Sequence, residues 1–407
     1  MARRRKRRKW PVFLAILMVV CIFAGLGGVV KRLLPDIFAS TGEVIQTVRE
    51  KASGTAGVPF EAVSVQEEDV SGGYYYRQLN EEEQALYKEL YQGLMDTSDV
   101  IYMHTPDMEA VKTVSRYILC DMPQLFWCSG EMQMTGYEAY SEVRPVYTYT
   151  GGEKDQKQAE IDLAVQECFT GISGDMSEYD KIKYVFEYLV NTVDYNLDAP
   201  DNQTIYSSLA GKSSVCAGYS RGAQYLLNRL GIECIYVTGN IPGQGAHAWN
   251  IVNCGGQYYQ MDVTFGDPVF IEAEGGKAPP EQSINYDYLC CSDAEIMKNH
   301  TADTFVTYPQ CNSMDLNYYR LNGMYYETFD PDQLLLDMNN SIYNMESSFT
   351  CKFASDSLYE EAHDMVLDDL VKRAVQNLLD YYGLVSVQYT YIEDAVMDKI
   401  TIYWNYE

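Results

Sequence analysis

Three short stretches decide how this chain is read: Ser213-Ser214-Val215-Cys216-Ala217-Gly218-Tyr219-Ser220, then His247-Ala248-Trp249-Asn250, then Tyr258-Tyr259-Gln260-Met261-Asp262-Val263-Thr264. Singly each is weak, because a lone Cys is most often a small buried hydrophobe, a lone His a core residue, and a lone Asp a solvated carboxylate or a cap. Local structure is what joins them. After Cys216, apolar residues at Ala223, Leu226, Leu227 and Leu230 keep a helical period that stops at Gly231. With Ser213 or Ser214 as the cap, Cys216 falls in the first turn, where unpaired N–H groups and the positive dipole end favour a thiolate. Residues 234–237 read as a strand beside that helix. Two more strands follow at 246–252 and 257–264, joined by the turn signal Asn253-Cys254-Gly255-Gly256. If this hairpin closes symmetrically through 253–256, or through Cys254-Gly255 alone, opposing residues have numbers that sum to 509, and His247 faces Asp262. Opposed Cβ atoms lie about 4.5–5.5 Å apart on one face of the sheet, within reach of an imidazole–carboxylate hydrogen bond. The expectation is a nucleophile (Cys216), a base (His247) and an orienting carboxylate (Asp262), as an acyl-transfer site requires.

The oxyanion donors are less determined. The backbone N–H of Cys216 is one, and the second is expected from Tyr195, Gln203 or Tyr206, with Tyr206 favoured because it leads more directly into Cys216; the competing reading makes these ordinary packing side chains. Trp249 and Tyr219 are expected at the pocket, with Trp249 shielding the His–Asp pair from water, and Asn250 is expected to make structural hydrogen bonds.

This pattern resembles the transglutaminase-like superfamily, which shares the papain-like Cys-His-Asp arrangement. The resemblance is carried by Tyr179-Asp180-Lys181 and Tyr195, by 215–219 and 227–231, by Val237-Thr238-Gly239, by His247-Ala248-Trp249-Asn250, and by 259–267. Asn285-Tyr286-Asp287-Tyr288, followed by Asp293 and His300, is similar to the segment after the core in bacterial, particularly clostridial-type, secreted members. Thr264-Phe265-Gly266 departs from the family, where Trp often follows the Thr, and this affects packing near the site. The resemblance implies Cys216 as nucleophile, His247 as general base and acid, and Asp262 as the residue that holds the imidazole. It implies an α+β, papain-like core: a helix bearing Cys packed on an antiparallel sheet bearing His and Asp.

Working outward, the N-terminus differs in kind from the rest. Seven of the first nine residues are Arg or Lys, and residues 11–30 contain no charge. About 20 helical residues cross a hydrocarbon core, so 10–32 reads as an uncleaved membrane anchor with residues 1–9 in the cytoplasm and the remainder outside the cell. The chain of 407 residues has a formal charge of −28, and beyond residue 32 it holds 21 basic residues against 58 acidic ones, which excludes sequence-independent nucleic-acid binding by the body. Residues 33–72 read as a linker, 73–175 as an N-terminal α+β region, 176–310 as the catalytic core and 311–407 as a small accessory α+β domain. In that last domain a hairpin is expected about Asn322-Gly323, a long helix over 358–382, and paired strands at 384–392 and 397–406. Ten cysteines lie outside the anchor and show no disulfide spacing, so mostly buried free thiols are expected, with a Cys120–Cys128 pair as the exception. The four histidines, at 104, 247, 300 and 363, sit in unrelated sequence settings, which speaks against a zinc site, and no phosphate-binding glycine loop is present. No cofactor is expected. Three functions remain: a membrane-anchored extracellular cysteine peptidase or amidase acting on surface proteins or cell-wall peptides, a protein-cross-linking transglutaminase, and a non-catalytic adhesion or carbohydrate-binding module. The intact set of three residues favours the first two over the third.

Overall fold

A computed structural model describes residues 54–268, 283–383 and 388–406. The expected anchor lies outside the described residues, and among those described no helix is long and apolar enough to cross a membrane. The described chain divides into two compact units. One contains 81–116 and 128–148 together with the described residues up to Ser64; the other contains 65–80, 117–127 and everything from Tyr149 onward.

In the first unit, helix α1 (Glu81–Met95) turns Leu86, Leu90 and Leu94 inward at helical spacing. Gly93 lets it close on strand β1 (Ile101–Met103), since a Cβ there would stand 2.5 Å from Ile101 Cγ1. Helix α2 (Met108–Asp121) begins in this unit, and strands β2 (Cys128–Gly136) and β3 (Ser141–Tyr147) complete an antiparallel sheet in the order β1-β3-β2. Sequence reading places these last two strands too short and too far apart, near 125–128 and 146–150. Met132 and Met134 do alternate inward, but a register shift between Cys128 and Met132 breaks the period-2 signal.

The second unit opens with α3 (Gly151–Phe169) and α4 (Glu178–Thr192). Ser177 and Asp180 form a capping box on α4, with Ser177 Oγ accepting the Asp180 N–H at 3.1 Å. Two short strands, β4 (Asp194–Tyr195) and β5 (Ser213–Ser214), pair in parallel just ahead of α5 (Cys216–Arg229). The expected serine cap is not formed. Val215, in extended conformation, is the N-cap, and Ser214 Oγ instead donates to the Asn202 carbonyl (2.7 Å) and meets Ser207 Oγ (2.7 Å). Helix α5 buries Ala223, Leu226 and Leu227 and ends before Gly231, whose φ of +77° suits a left-handed terminus.

Behind α5 stands an antiparallel sheet in the order β8-β7-β6-β9, built from β6 (Cys234–Ile241), β7 (Gly245–Cys254), β8 (Gln257–Met261) and β9 (Thr301–Ala302). The β7–β8 register differs from the one expected. Gly255 and Gly256 have φ of +61° and +81°, the left-handed pair that a tight two-residue hairpin demands, so Cys254 pairs with Gln257 and opposed numbers sum to 511. His247 is therefore paired across β6 with Gly239, and Asp262 lies one residue past the end of β8.

The tail forms a layer of its own. A four-stranded sheet in the order β10-β11-β13-β12 combines β10 (Tyr325–Tyr326), β11 (Ser348–Phe353), β12 (Gln388–Asp394) and β13 (Lys399–Asn405). It packs on α6 (Pro331–Tyr343), α7 (Asp356–Met365) and α8 (Val371–Tyr382) through a core that includes Leu334, Met338, Phe353, Leu378, Ile400 and Ile402. The hairpin expected about Asn322-Gly323 is absent. Asn317 caps the segment Tyr318–Leu321 into a helical turn by accepting the Tyr319 and Arg320 N–H groups, and β10 pairs in parallel with β11. The long expected helix is present as α7 and α8, joined by a π-helical turn over Val366–Leu370. All ten described cysteines are buried and free, Cys120 and Cys128 included.

Candidate active site

The elements just described bring Cys216, His247 and Asp262 into contact. Cys216 is the first residue of α5, so its backbone N–H has no intrahelical acceptor and remains available to a ligand. Gly218 permits the approach of the preceding loop to this turn: a Cβ there would stand 1.9 Å from Ser214 Oγ and 2.9 Å from the Asn202 carbonyl. Ser220, one turn on, lies 2.9 Å from both the Cys216 and the Ala248 carbonyls, which ties the helix to the strand carrying His247. Asn250 adds a second tie by donating to the Ser220 carbonyl at 3.0 Å.

His247 Nε2 lies 2.6 Å from Asp262 Oδ2, and the imidazole is near enough to Cys216 for the sulfur to raise its pKa. With Nε2 on the carboxylate, Nδ1 is the nitrogen left for the sulfur. Asp262 is fully buried yet completely satisfied. Its Oδ1 accepts the N–H groups of Thr264 (2.9 Å) and Phe265 (3.2 Å), its Oδ2 faces His247 and, at 3.0 Å, His300 Nε2, and its own N–H donates to the Tyr288 carbonyl. Burial alone would raise its carboxyl pKa, but the two imidazoles outweigh it and hold the group well below the ordinary range. Burial would likewise lower the His247 pKa, but the Asp262 charge and the Cys216 sulfur prevail and raise it from 6.5 to about 10. The result is an imidazolium held between a carboxylate and a sulfur.

Aromatic rings close the site. Trp249 stacks on His247 (centroids 6.1 Å apart), Phe265 meets it edge-on at 5.5 Å, and the Trp249 indole N–H is fixed by Gln260 Oε1 at 2.8 Å. Trp249 is itself buried. Tyr219 does not line an open pocket. It is fully buried, with its hydroxyl 2.5 Å from the Val193 carbonyl and 2.8 Å from Asp267 Oδ2, so it anchors α5 from behind. Tyr206 donates its single hydroxyl proton to Glu160 on α3 and lies beneath the Lys157 ammonium, which leaves no proton for an oxyanion. Tyr195 sits on β4 beside Ser214, its ring 6.5 Å from that of Tyr219, and Gln203 lies half-buried in the loop before β5.

Sequence reading set His300 apart from the site; the fold brings it in. From just ahead of β9 it reaches Asp262, with its ring 5.3 Å from His247 and 5.1 Å from Trp249. The available signal was its place in the segment after Asp262. His247, Asp262 and His300 are also the described residues grouped closely enough to hold a metal ion. Their Nε2–Oδ2 separations of 2.6 and 3.0 Å are those of shared protons, since two donors on one tetrahedral zinc stand roughly 3.3 Å apart.

Residues 166–263 match the family model of the transglutaminase-like superfamily, which spans α4 through β8 and contains Cys216, His247 and Asp262. The α+β fold therefore has a transglutaminase-like core. Among solved structures, "Crystal structure of a TGase" is 14% identical with a TM-score of 0.24, over 33% of this chain and 52% of that one. "Putative Cysteine Protease from Cytophaga hutchinsonii" is 13% identical with a TM-score of 0.24, over 44% and 70%. "Crystal structure of a putative protease from Parabacteroides distasonis" is 10% identical with a TM-score of 0.20, over 33% and 36%. The chain spans about half the length of the TGase that it matches. No curated protein sequence matches it significantly.

Proposed function

We propose that this chain is a cysteine-dependent acyl-transfer enzyme that hydrolyses peptide or amide bonds, with Cys216 as nucleophile, His247 as acid and base, and Asp262 as the residue that holds the imidazole. One observation carries the reading: a helix-terminal Cys in contact with a buried His whose far nitrogen is bonded to a buried carboxylate. The Cys216 sulfur attacks the carbonyl carbon, and the oxyanion is met by the Cys216 N–H. The His247 proton passes to the departing amine as the C–N bond breaks, leaving a thioester. Water then attacks the thioester and returns a proton to His247, and the carboxylic acid leaves as the sulfur is freed. In the same proposal residues 10–32 anchor the protein in a cell membrane, the remainder lies outside the cell, and the substrates are surface proteins or wall peptides.

The test incubates the full chain and its Cys216→Ala variant with an electrophilic thiol probe and a peptide library, and identifies labelled residues and products by mass spectrometry. We expect labelling at Cys216, hydrolysed peptides from wild type and neither from the variant. Products joined to an added amine would assign transglutamination instead. An inert Cys216 with no turnover would favour a binding module. Protease added outside intact cells is expected to digest everything beyond residue 32 and leave a short membrane fragment; a soluble protein starting between residues 25 and 45 would mean a cleaved signal.

A further inference from the structure

We infer that His300 is a positioning residue of this site: by donating to the same Asp262 oxygen that holds His247, it sets how strongly the carboxylate grips the His247 proton. The inference rests on the proposed role of Cys216 and His247. Four observations support it. His300 is fully buried at its side chain, and its Nε2 lies 3.0 Å from Asp262 Oδ2, against 2.6 Å for His247. An ionised carboxylate only accepts, so His300 Nε2 must carry the hydrogen. The ring is held at its other end as well, with Nδ1 2.6 Å from Asn299 Oδ1, while Asn299 Nδ2 lies 2.6 Å from the Tyr288 hydroxyl. Finally, the rings of Trp249, Phe265 and Tyr288 pack around it at 5.1, 5.1 and 5.4 Å.

The chemical consequence follows from sharing. Asp262 already receives two backbone N–H groups on Oδ1, so His300 is the fourth donor on a carboxylate with about four acceptor positions. Each donor disperses negative charge that would otherwise act on His247 alone. With His300 in place the imidazolium is held firmly enough to be oriented, yet gives its proton up to a leaving group more readily than it would beside an unshared carboxylate. The further titratable groups beside the three include Cys216, which acts on His247, and Tyr288, whose ring faces His300. The Asp267 carboxylate is bonded instead to the Tyr219 hydroxyl.

The experiment measures the rate of Cys216 alkylation by iodoacetamide against pH, in the full chain, with the site of modification read by mass spectrometry. Two steps are expected in wild type, the upper one where the imidazolium beside the sulfur loses its proton. His300→Phe fills the volume and removes the donor, so the whole carboxylate charge falls on His247. Its upper step should move to higher pH by about one unit, a tenfold change in the proton equilibrium, the scale of one hydrogen bond to a charged group. His300→Gln keeps an amide N–H in place of Nε2–H and should return the step to near its wild-type position. Asn299→Leu, which frees the far end of the His300 ring without touching Asp262, should shift the step the same way by less and serves if the Phe variant fails to fold. A purely structural role would change the amount of folded protein without moving the step. The inference is overturned if the step stays put in both the Phe and Leu variants, or if Phe and Gln move it equally. An unreactive Cys216 in wild type would instead overturn the proposed function itself.

Discussion

Asp262 shows how much one buried carboxylate can organise when every lone pair is used. Its replacement by Asn leaves Oδ1 able to accept the Thr264 and Phe265 N–H groups, so the turn after β8 should persist. The amide nitrogen would then face His247 Nε2 and force the ring proton onto the side of the sulfur. We expect Asp262→Asn to fold and to acylate about 10⁴-fold more slowly, the scale of tautomer loss in a Ser-His-Asp site, as measured by burst kinetics with an activated ester. Titration offers a second prediction. The pKa of His247 is raised in the folded protein, from 6.5 to about 10, so the stability it contributes is complete below pH 6.5 and is lost as pH rises through about 10. Asp262, whose pKa is lowered, contributes above its ordinary 3.8 and loses that contribution as pH falls below it. Urea unfolding of wild type and His247→Gln should therefore differ most near pH 5–6, and the gap should close by a few kcal/mol as pH rises to 10. A gap constant across that range would contradict the buried imidazolium.

At the scale of elements, the site depends on how closely β9 can approach β6. Gly239 pairs with both His247 and Ala302, and a Cβ on it would meet the Thr301 carbonyl at 2.1 Å and Trp249 Cη2 at 2.8 Å. Gly239→Ala must push β9 outward, and His300 immediately precedes that strand. We expect this variant to lose about 1–3 kcal/mol of stability by overpacking and to lose most of its alkylation rate at Cys216, even though residue 239 carries no side chain to the site. The helices were legible here because their apolar spacing is local: periodicity puts helices at 80–95, at 179–193 and from Cys216 to Gly231, and α1, α4 and α5 lie within two residues of these bounds. The β7–β8 register was not, because four residues, Asn253-Cys254-Gly255-Gly256, can close in more than one way. Gly255-Gly256 prevails because both its residues adopt positive φ without strain. The slip from 509 to 511 is an even number, so the side chains of β8 keep their faces, and Asp262, one residue past the strand, still reaches His247.

At the scale of the second unit, the C-terminal layer is fastened to the transglutaminase-like core by lysines. Lys352, fully buried on β11, reaches Glu295 at 2.6 Å and donates to the Met397 carbonyl at 2.6 Å. Lys298 meets Asp398 at 2.6 Å, and Lys399 meets Asp287, whose carboxyl pKa stays lowered despite burial because Lys399 and Lys352 outweigh the desolvation. Removing one partner of a buried pair strands the other, so Lys352→Ala should cost about 3–5 kcal/mol in urea unfolding, while Lys372→Ala, which breaks an exposed pair with Asp368 of the π-helical turn, should cost less than about 1 kcal/mol.

The chain's order of residues by itself determined the helix that begins at Cys216 and the strands that carry His247 and lead to Asp262, because apolar period acts over a few neighbours. The placement of His300 against Asp262, the burial of Tyr219 on Val193 and Asp267, and the diversion of Tyr206 to Glu160 were decided only by tertiary structure. Each of these joins residues 26 to 48 positions apart in the chain. No local preference selects such partners: a tyrosine or histidine takes whichever buried acceptor the packed elements bring within about 3 Å, since leaving it unpaired would cost more than any local alternative.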